Sequence, residues 1–366
     1  MGKKVLLFSN MLSGGGVEKV LQDITNYLSN KNYRITIVAL DSRINTHIFS
    51  HQNIKVINCY RNKRALKKYS LAWFFFKLKQ ILCYMYILTN SYDAVLVLKE
   101  GFYMKNGVRI KASKKVAWVH SDYKQLHFSK SAFNSNAEEL ECMKKYDYVI
   151  CVSNVVLDSI CEVIGNPGNL VVRYNPIDVE LIKKKAMESC PKRRCETKPI
   201  FVLVCRLNKI KRVCQFVYEC CELYKKHKFV LWIVGDGEDK VALENIKEEN
   251  NFSDLYLWGW RDNPYPYIYF ADWLISTSMS ESYGLTVHEA IALNTPVLAT
   301  SLPVFKECIP KNKAILVDNG LNGLINEMEY ILEHPELNTS IRNETVSYSQ
   351  EELYDNRLMA IEELIL

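Results

Sequence analysis

Short apolar runs alternate with stretches of helical periodicity along almost the whole chain. Residues 3–9 are a basic start followed by a continuous apolar run, the pattern of a buried parallel strand. Behind Gly14-Gly15-Gly16, the positions Val17, Val20, Leu21, Ile24, Tyr27 and Leu28 recur at helical spacing, and residues 35–40 supply the next strand. Further strands are predicted at 94–98, 116–119 and 148–152, and Ser153-Asn154 caps a helix reaching Ile164. Val171 to Tyr174 leads into Asn175-Pro176-Ile177-Asp178. The pattern lapses over 179–199, where Lys183, Lys184 and Lys185 precede Pro191-Lys192-Arg193-Arg194; this stretch reads as the approach to a second domain.

The alternation then restarts. Strands are predicted at 200–205, 229–234, 255–258, 273–276, 297–300 and 315–317, with helices from about Val213 to Tyr224 and over 264–270. Residues 351–366 read as an amphipathic helix. The expectation is an α/β protein with two doubly wound parallel sheets. Its domains would be 1–178 and 179–345, with 346–366 a terminal helix packing back toward the first.

Composition changes this picture little. The chain has 366 residues, enough for two domains, with 48% hydrophobic and 24% charged residues. A net charge of +6 is too small to argue for nucleic acid, and no aromatic interleaving accompanies the basic runs. It suits an anionic substrate or an anionic membrane surface. The twelve cysteines are scattered without a C-x-x-C pair, so neither a zinc ribbon nor a redox motif is supported. With no cleavable signal sequence at the start, reduced thiols and a cytoplasmic location are expected.

One apolar stretch, 71–88, raises the membrane question. Lys77, Lys79 and Gln80 break it, and two lysines near the centre of a span would each cost about 3 kcal/mol, which argues against a transmembrane helix. The plainer reading is a buried core helix. The other is an aromatic-basic face lying peripherally on an anionic bilayer, helped by Arg61, Lys63, Arg64, Lys67 and Lys68 just before it.

Chemistry gathers around residues 275–300. Glu281 and Glu289 flank a loop-to-helix junction, and Gly284 lets the backbone approach a ligand there. The first free amides of the helix, those of Leu285 and Thr286, would stabilise a phosphate. Arg206 and Lys211 follow the strand at 200–205, in a loop that also holds Lys209 and Arg212. Taken alone they are solvated loop charges; beside a helix amino terminus they form a diphosphate site. Gly235-Asp236-Gly237-Glu238 ends the next strand. In the first half, Gly14-Gly15-Gly16 match neither G-x-G-x-x-G nor a P-loop, and serve either as a flexible turn or as a ligand contact. His120 stands at a strand's carboxyl end, the catalytic edge of a parallel sheet, where it is either structural or catalytic.

These motifs, taken in order, closely resemble the GT-B glycosyltransferases of the large retaining group known as family 4. The two-glutamate signature is Glu281-Ser-Tyr-Gly-Leu-Thr-Val-His-Glu289, continued by Ala-Ile-Ala-Leu-Asn-Thr-Pro-Val-Leu-Ala-Thr. Gly259-Trp-Arg-Asp-Asn-Pro-Tyr-Pro-Tyr, Cys205-Arg206-Leu207 with Lys211, Gly235-Asp-Gly-Glu and Tyr174-Asn-Pro-Ile-Asp178 are similar too, as are Ser13-Gly-Gly-Gly-Val-Glu-Lys and Trp118-Val-His-Ser-Asp. The resemblance implies two Rossmann-like domains facing a cleft. It also implies that Glu289 binds the ribose and Glu281 the donor sugar, while Arg206, Lys211 and the amides of Gly284, Leu285 and Thr286 hold the diphosphate. Gly15 and Gly16 would approach the donor from the other domain, with His120 on the sugar or leaving group. Arg212 stands where the family commonly has glycine, and His288 replaces a commoner apolar residue.

The implied activity is retaining transfer from a nucleotide sugar, UDP-linked, to a glycan acceptor, lipid-linked, in cell-surface polysaccharide synthesis such as lipopolysaccharide or capsule. No D-x-D motif is present, so no metal and no other cofactor is expected. A dehydrogenase would need the missing fingerprint glycines, which Asp41 alone does not replace. A phosphorylase, an epimerase or a non-catalytic nucleotide-sugar binding protein shares the fold and stays open at this point.

Overall fold

The computed structural model describes residues 2–9, 15–39, 51–58, 70–188, 198–318, 320–343 and 348–366. Gly14, Leu40, Asp41, the basic run Arg61, Lys63, Arg64, Lys67 and Lys68, and Pro191 to Arg194 lie outside the described residues. The chain forms two compact units, Met1–Pro176 with Asp355–Leu366, and Ile177–Tyr354.

The first unit holds β1 (Lys4–Ser9), α1 (Gly16–Asn30), β2 (Arg34–Ala39), β3 (Ile54–Asn58), α2 (Leu71–Thr89), β4 (Ser91–Val97), α3 (Phe102–Gly107), β5 (Lys111–Val119), α4 (Asn136–Met143), β6 (Tyr148–Cys151), α5 (Asn154–Val163) and β7 (Leu170–Val172). Its seven strands are all parallel, in the order β3-β2-β1-β4-β5-β6-β7. The central strands are continuous apolar runs because helices cover both faces, and Val5 to Phe8 and Ala94 to Val97 are fully buried. Ser135 and Ser153 cap α4 and α5, accepting from the amides of Glu138 and Val156. Between β1 and β4 the order of strands reverses, the position at whose carboxyl ends open parallel sheets bind ligands.

The second unit repeats the plan with α6 (Val179–Ala186), β8 (Ile200–Val204), α7 (Val213–Lys226), β9 (Val230–Val234), α8 (Lys240–Glu249), β10 (Leu255–Gly259), α9 (Tyr265–Phe270), β11 (Trp273–Ser276), α10 (Leu285–Ala292), β12 (Val297–Thr300), α11 (Pro303–Cys308), β13 (Ala314–Val317), α12 (Gly320–Glu333) and α13 (Glu336–Asn343). Six parallel strands run in the order β10-β9-β8-β11-β12-β13, so the reversal falls between β8 and β11. An aromatic cluster fills one face: Tyr224 stacks on Phe252 at 4.4 Å, and Phe229 meets both Phe201 and Phe252 edge-on.

Three expectations change. Edge strand β3 is an addition; its Ile54, Val56 and Ile57 are only half-buried and Lys55 is exposed. Residues 179–186 are a helix of the second unit, capped by Asp178 and buried through Val179, Ile182 and Ala186. The apolar segment 71–88 is indeed a helix, but not a core helix. Only Phe76, Cys83 and Ile87 of α2 are buried, and most of its large apolar side chains face outward.

The terminal helix is also not uniform. Glu351–Asp355 is a π-helical turn, α14 (Asn356–Glu362) follows, and Glu363–Ile365 closes as a 3₁₀ turn. Leu358, Ile361, Leu364 and Ile365 are buried in the first unit. Glu362 fastens them: it accepts from Tyr27 Oη (2.9 Å), Tyr33 Oη (2.8 Å) and Lys31 Nζ (2.5 Å). Burial alone would raise its pKa, but the bonds from Lys31, Tyr33 and Tyr27 outweigh it and hold the carboxyl below its ordinary 4.5. A depressed folded pKa gives stability that is complete above the ordinary value and lost as pH falls through the folded one. Glu362→Gln should therefore destabilise the protein by about 2 kcal/mol at about pH 7, with the gap closing below about pH 4. Urea unfolding at both pH values checks this; an equal gap at both would mean the carboxylate charge is not the source.

Candidate active site

Two loops meet at the switch point of the second sheet. One leaves β8 at Cys205, makes a short 3₁₀ turn over Lys209–Lys211 and enters α7. The other leaves β11 at Thr277 and reaches α10 through Gly284. Because β8 and β11 pair directly, Phe201 beside Trp273 and Val202 beside Leu274, the loops must lie side by side.

They are stitched together by polar contacts. Lys211 Nζ forms an ion pair with Glu281 Oε1, which also accepts from Ser278 Oγ at 2.7 Å. Thr277 Oγ1 donates to the Lys211 carbonyl, and Met279 N donates to the Ile210 carbonyl at 2.9 Å. Asn208 Oδ1 accepts from Lys211 N at 3.2 Å and so shapes the turn that carries the lysine. Burial works against the charge of Lys211, but Glu281 outweighs it and the amine's pKa lies above its ordinary value. The amine stays charged. Cys205, beside it, has its thiol pushed up to about 12 by desolvation and is no nucleophile at neutral pH.

Arg212 settles how the loop runs without the family's glycine. Its backbone is left-handed, φ 51°, the conformation a glycine would take freely. The guanidinium then donates through Nε to the Thr277 carbonyl at 2.8 Å and through Nη2 to the Ser278 carbonyl at 3.4 Å. One residue carries backbone strain and ties the two loops.

At the junction, Gly284 is the N-cap of α10 with φ 83°, and a Cβ there would run into the Phe305 ring. Leu285 and Thr286 follow at the first helical positions, where their amides have no carbonyl a turn earlier to bond. Arg206 is exposed on the neighbouring loop. Glu289 is buried one turn into α10, with Tyr265 Oη donating to its Oε1 at 3.4 Å. Gly235 has a packing reason of its own: a Cβ would strike the Cys205 carbonyl where β8 and β9 run on together. His288 stacks on Tyr283 at 4.4 Å, and its Nδ1 lies 2.8 Å from Tyr348 Oη.

In the first unit, Gly15 is the N-cap of α1 in an extended conformation and Gly16 is its first residue. A side chain at 15 would meet the Glu18 carboxylate. His120 follows β5 directly and stacks on Trp118 at 5.5 Å. Its Nε2 is buried with no hydrogen-bond partner among the described residues. Burial first, and the charge of Lys99 second, hold its pKa down at about 3, so the imidazole is neutral. Beside it Ser121 Oγ donates to buried Glu100, a carboxylate at the end of β4 that the strand-end rule used for His120 would also have found.

Among the described residues one group of metal-ligand types gathers, His227, Glu329 and Glu333. It lies at the end of α7 and on α12, and Lys226 Nζ already bonds Glu329 at 3.1 Å.

Two Rossmann-like units of parallel sheet, each with helix amino termini at its switch point, are the architecture of the GT-B fold. The family described as Glycosyltransferase Family 4 matches residues 14–181, and that described as Glycosyl transferases group 1 matches 198–334. The chain belongs to these glycosyltransferases. Anabaena HepE, solved in complex with UDP and glucose, has the same fold, with a TM-score of 0.78 at 16% identity over 99% of this chain and 98% of that one. N-acetyl-alpha-D-glucosaminyl L-malate synthase of Bacillus anthracis is 25% identical, over 46% of this chain and only 45% of that protein's length. N-acetylgalactosamine-N,N'-diacetylbacillosaminyl-diphospho-undecaprenol 4-alpha-N-acetylgalactosaminyltransferase of Campylobacter jejuni is 25% identical over 81% of this chain and 80% of its own.

Arg212→Ala keeps the left-handed strain and loses both carbonyl contacts, and should destabilise the protein by about 2 kcal/mol. Arg212→Gly loses the same contacts but relieves the strain, and should be milder by about 1 kcal/mol. Thermal unfolding of the two variants checks the order; Gly worse than Ala would overturn it.

Proposed function

We propose that the protein transfers a hexosyl or N-acetylhexosaminyl group from a UDP-sugar to a lipid-linked glycan, with retention at the anomeric carbon, in cell-surface polysaccharide synthesis. It would work in the cytoplasm, peripherally at the inner face of the cytoplasmic membrane. The observation that carries this reading is the switch-point junction of the second unit, where the Lys211–Glu281 pair joins the loop into α7 to the loop that enters α10 through Gly284. UDP in the HepE complex and diphospho-undecaprenol in the Campylobacter enzyme's name support the donor and acceptor classes.

On this reading the diphosphate takes the amides of Leu285 and Thr286 with Lys211 and Arg206. Each charge-assisted bond is worth about 1.5–3 kcal/mol and strengthens as the leaving diphosphate gathers charge. Glu289 accepts the ribose hydroxyls and Glu281 the sugar hydroxyls. The bond from the anomeric carbon to phosphate breaks, the acceptor oxygen bonds to the same face, and the departing phosphate oxygen takes the acceptor proton. His120, neutral, is a hydrogen-bonding group for the sugar or the leaving phosphate, without a charge of its own. The positive groups replace a metal ion in this scheme.

UDP-sugars should raise the melting temperature, corresponding to about 2.7 kcal/mol at a hundred times their Kd, while NAD and GDP-sugars leave it unchanged. Stabilisation by NAD or GDP-sugars instead would overturn the donor assignment. Glu281→Gln should lower acceptor-dependent transfer by about 10²–10³ with UDP binding weakened far less, and EDTA should leave wild-type transfer unchanged. Product assays with radiolabelled donor read both; loss with EDTA that Mg²⁺ restores would remove the metal-free scheme.

A further inference from the structure

Helix α2 presents an outer face that the first unit does not use. Only the narrow stripe Phe76, Cys83 and Ile87 is buried. Opposite that stripe stand Phe74, Phe75, Leu78, Ile81, Leu82 and Met85, with Phe75 and Leu82 each 59% exposed. A contiguous apolar face of this size on a surface helix marks an interaction site.

The charges say what covers it. At about 100° per residue, Lys77 and Lys79 fall on the two opposite borders of the apolar face. Neither has a carboxylate partner among the described residues; Lys77 Nζ donates only to Gln80 at 3.2 Å. Lys55 adds a third cation beside Tyr86, donating to its hydroxyl at 2.8 Å. The helix contains no acidic residue. An apolar strip with aromatic and leucine side chains, edged on both sides by lysines, is complementary to acyl chains below and anionic headgroups above.

The helix is also held sideways. Tyr84 Oη donates to the Asn106 carbonyl at the end of α3, and Lys55 of β3 bonds Tyr86, so its flank is fixed to the folded unit. A spanning helix would have to leave both partners and bring Lys77 and Lys79 into the hydrocarbon.

We infer that α2 is an in-plane docking helix that seats the first unit on an anionic lipid surface, with Phe74, Phe75, Leu78, Ile81, Leu82 and Met85 inserted and Lys77 and Lys79 on the headgroups. This deepens the peripheral location proposed above and rests on it only for its biological setting. Vesicle binding is read without donor or acceptor, so its failure is separate from a failure of transfer.

The test is co-sedimentation of the full chain with vesicles of phosphatidylcholine plus phosphatidylglycerol, and of phosphatidylcholine alone. The wild type should bind the anionic vesicles at least about tenfold more tightly. Phe75→Gln with Leu82→Gln, both at exposed positions, should lower that binding about tenfold or more with an unchanged melting temperature. Lys77→Gln with Lys79→Gln should reduce it to near the neutral-vesicle level. Retained binding in the Phe75/Leu82 variant would overturn the inference. So would a wild-type mass of two chains by light scattering that those substitutions return to one, since a second copy would then cover the face. Release from the vesicles only by detergent, and not by alkaline carbonate, would overturn the in-plane orientation.

Discussion

The contact on which the second unit's site depends is the ion pair between Lys211 and Glu281, made across two loops that the sheet alone leaves side by side. Parallel pairing of β8 with β11 brings the loops together but does not fix their path. The Thr277 hydroxyl on the Lys211 carbonyl, the Arg212 guanidinium on Thr277 and Ser278, and the Thr300 hydroxyl on the Ser278 carbonyl at 2.7 Å supply that path. The charged pair sits on a scaffold of short polar bonds rooted in three neighbouring strands. Such a scaffold orients the groups before any ligand arrives, which is the condition for electrostatic stabilisation to act on rate.

Much of this was legible because parallel strands buried on both faces cannot hide. β1, β4, β8 and β9 are continuous apolar runs, and the glutamate-flanked junction advertises itself through Gly284. What the sequence concealed has physical reasons. β3 lies at an edge, so its apolar residues are half-buried and Lys55 interrupts them. The three lysines of α6 mask a helical spacing of Val179, Ile182 and Ala186. The apolar content of α2 suits a core helix and an interfacial one equally; only its neighbours decide, and they cover one narrow stripe.

Arg212 is the harder case. Propensity scales give no reason for an arginine at φ 51°, because the reason is two carbonyls on a loop sixty-five and sixty-six residues away in sequence. The C-terminal tether has the same character. Glu362 collects donors from Tyr27, Lys31 and Tyr33, more than three hundred positions earlier, and no local pattern marks it as the residue that returns the chain to its first unit. Both are long-range polar contacts, and both sit where the backbone has to be held against its local preference or its freedom.

The pairing also accounts for a carboxylate at the centre of a site proposed to take an anion. Two unit charges about 4 Å apart interact by about 4 kcal/mol at an effective dielectric of 20, enough to keep a desolvated lysine charged. Lys211 has three donors and Glu281 two acceptor oxygens, so the pair satisfies itself and leaves capacity on each side. A diphosphate seated on the Leu285 and Thr286 amides would find the lysine already ordered, avoiding the loss of rotamer freedom a solvated lysine would suffer. The carboxylate repels a phosphate placed against it and accepts from hydroxyls. On the proposed reading the pair would, within one side chain's reach, distinguish where phosphate goes from where sugar goes, a discrimination that neither a lone lysine nor a helix terminus provides.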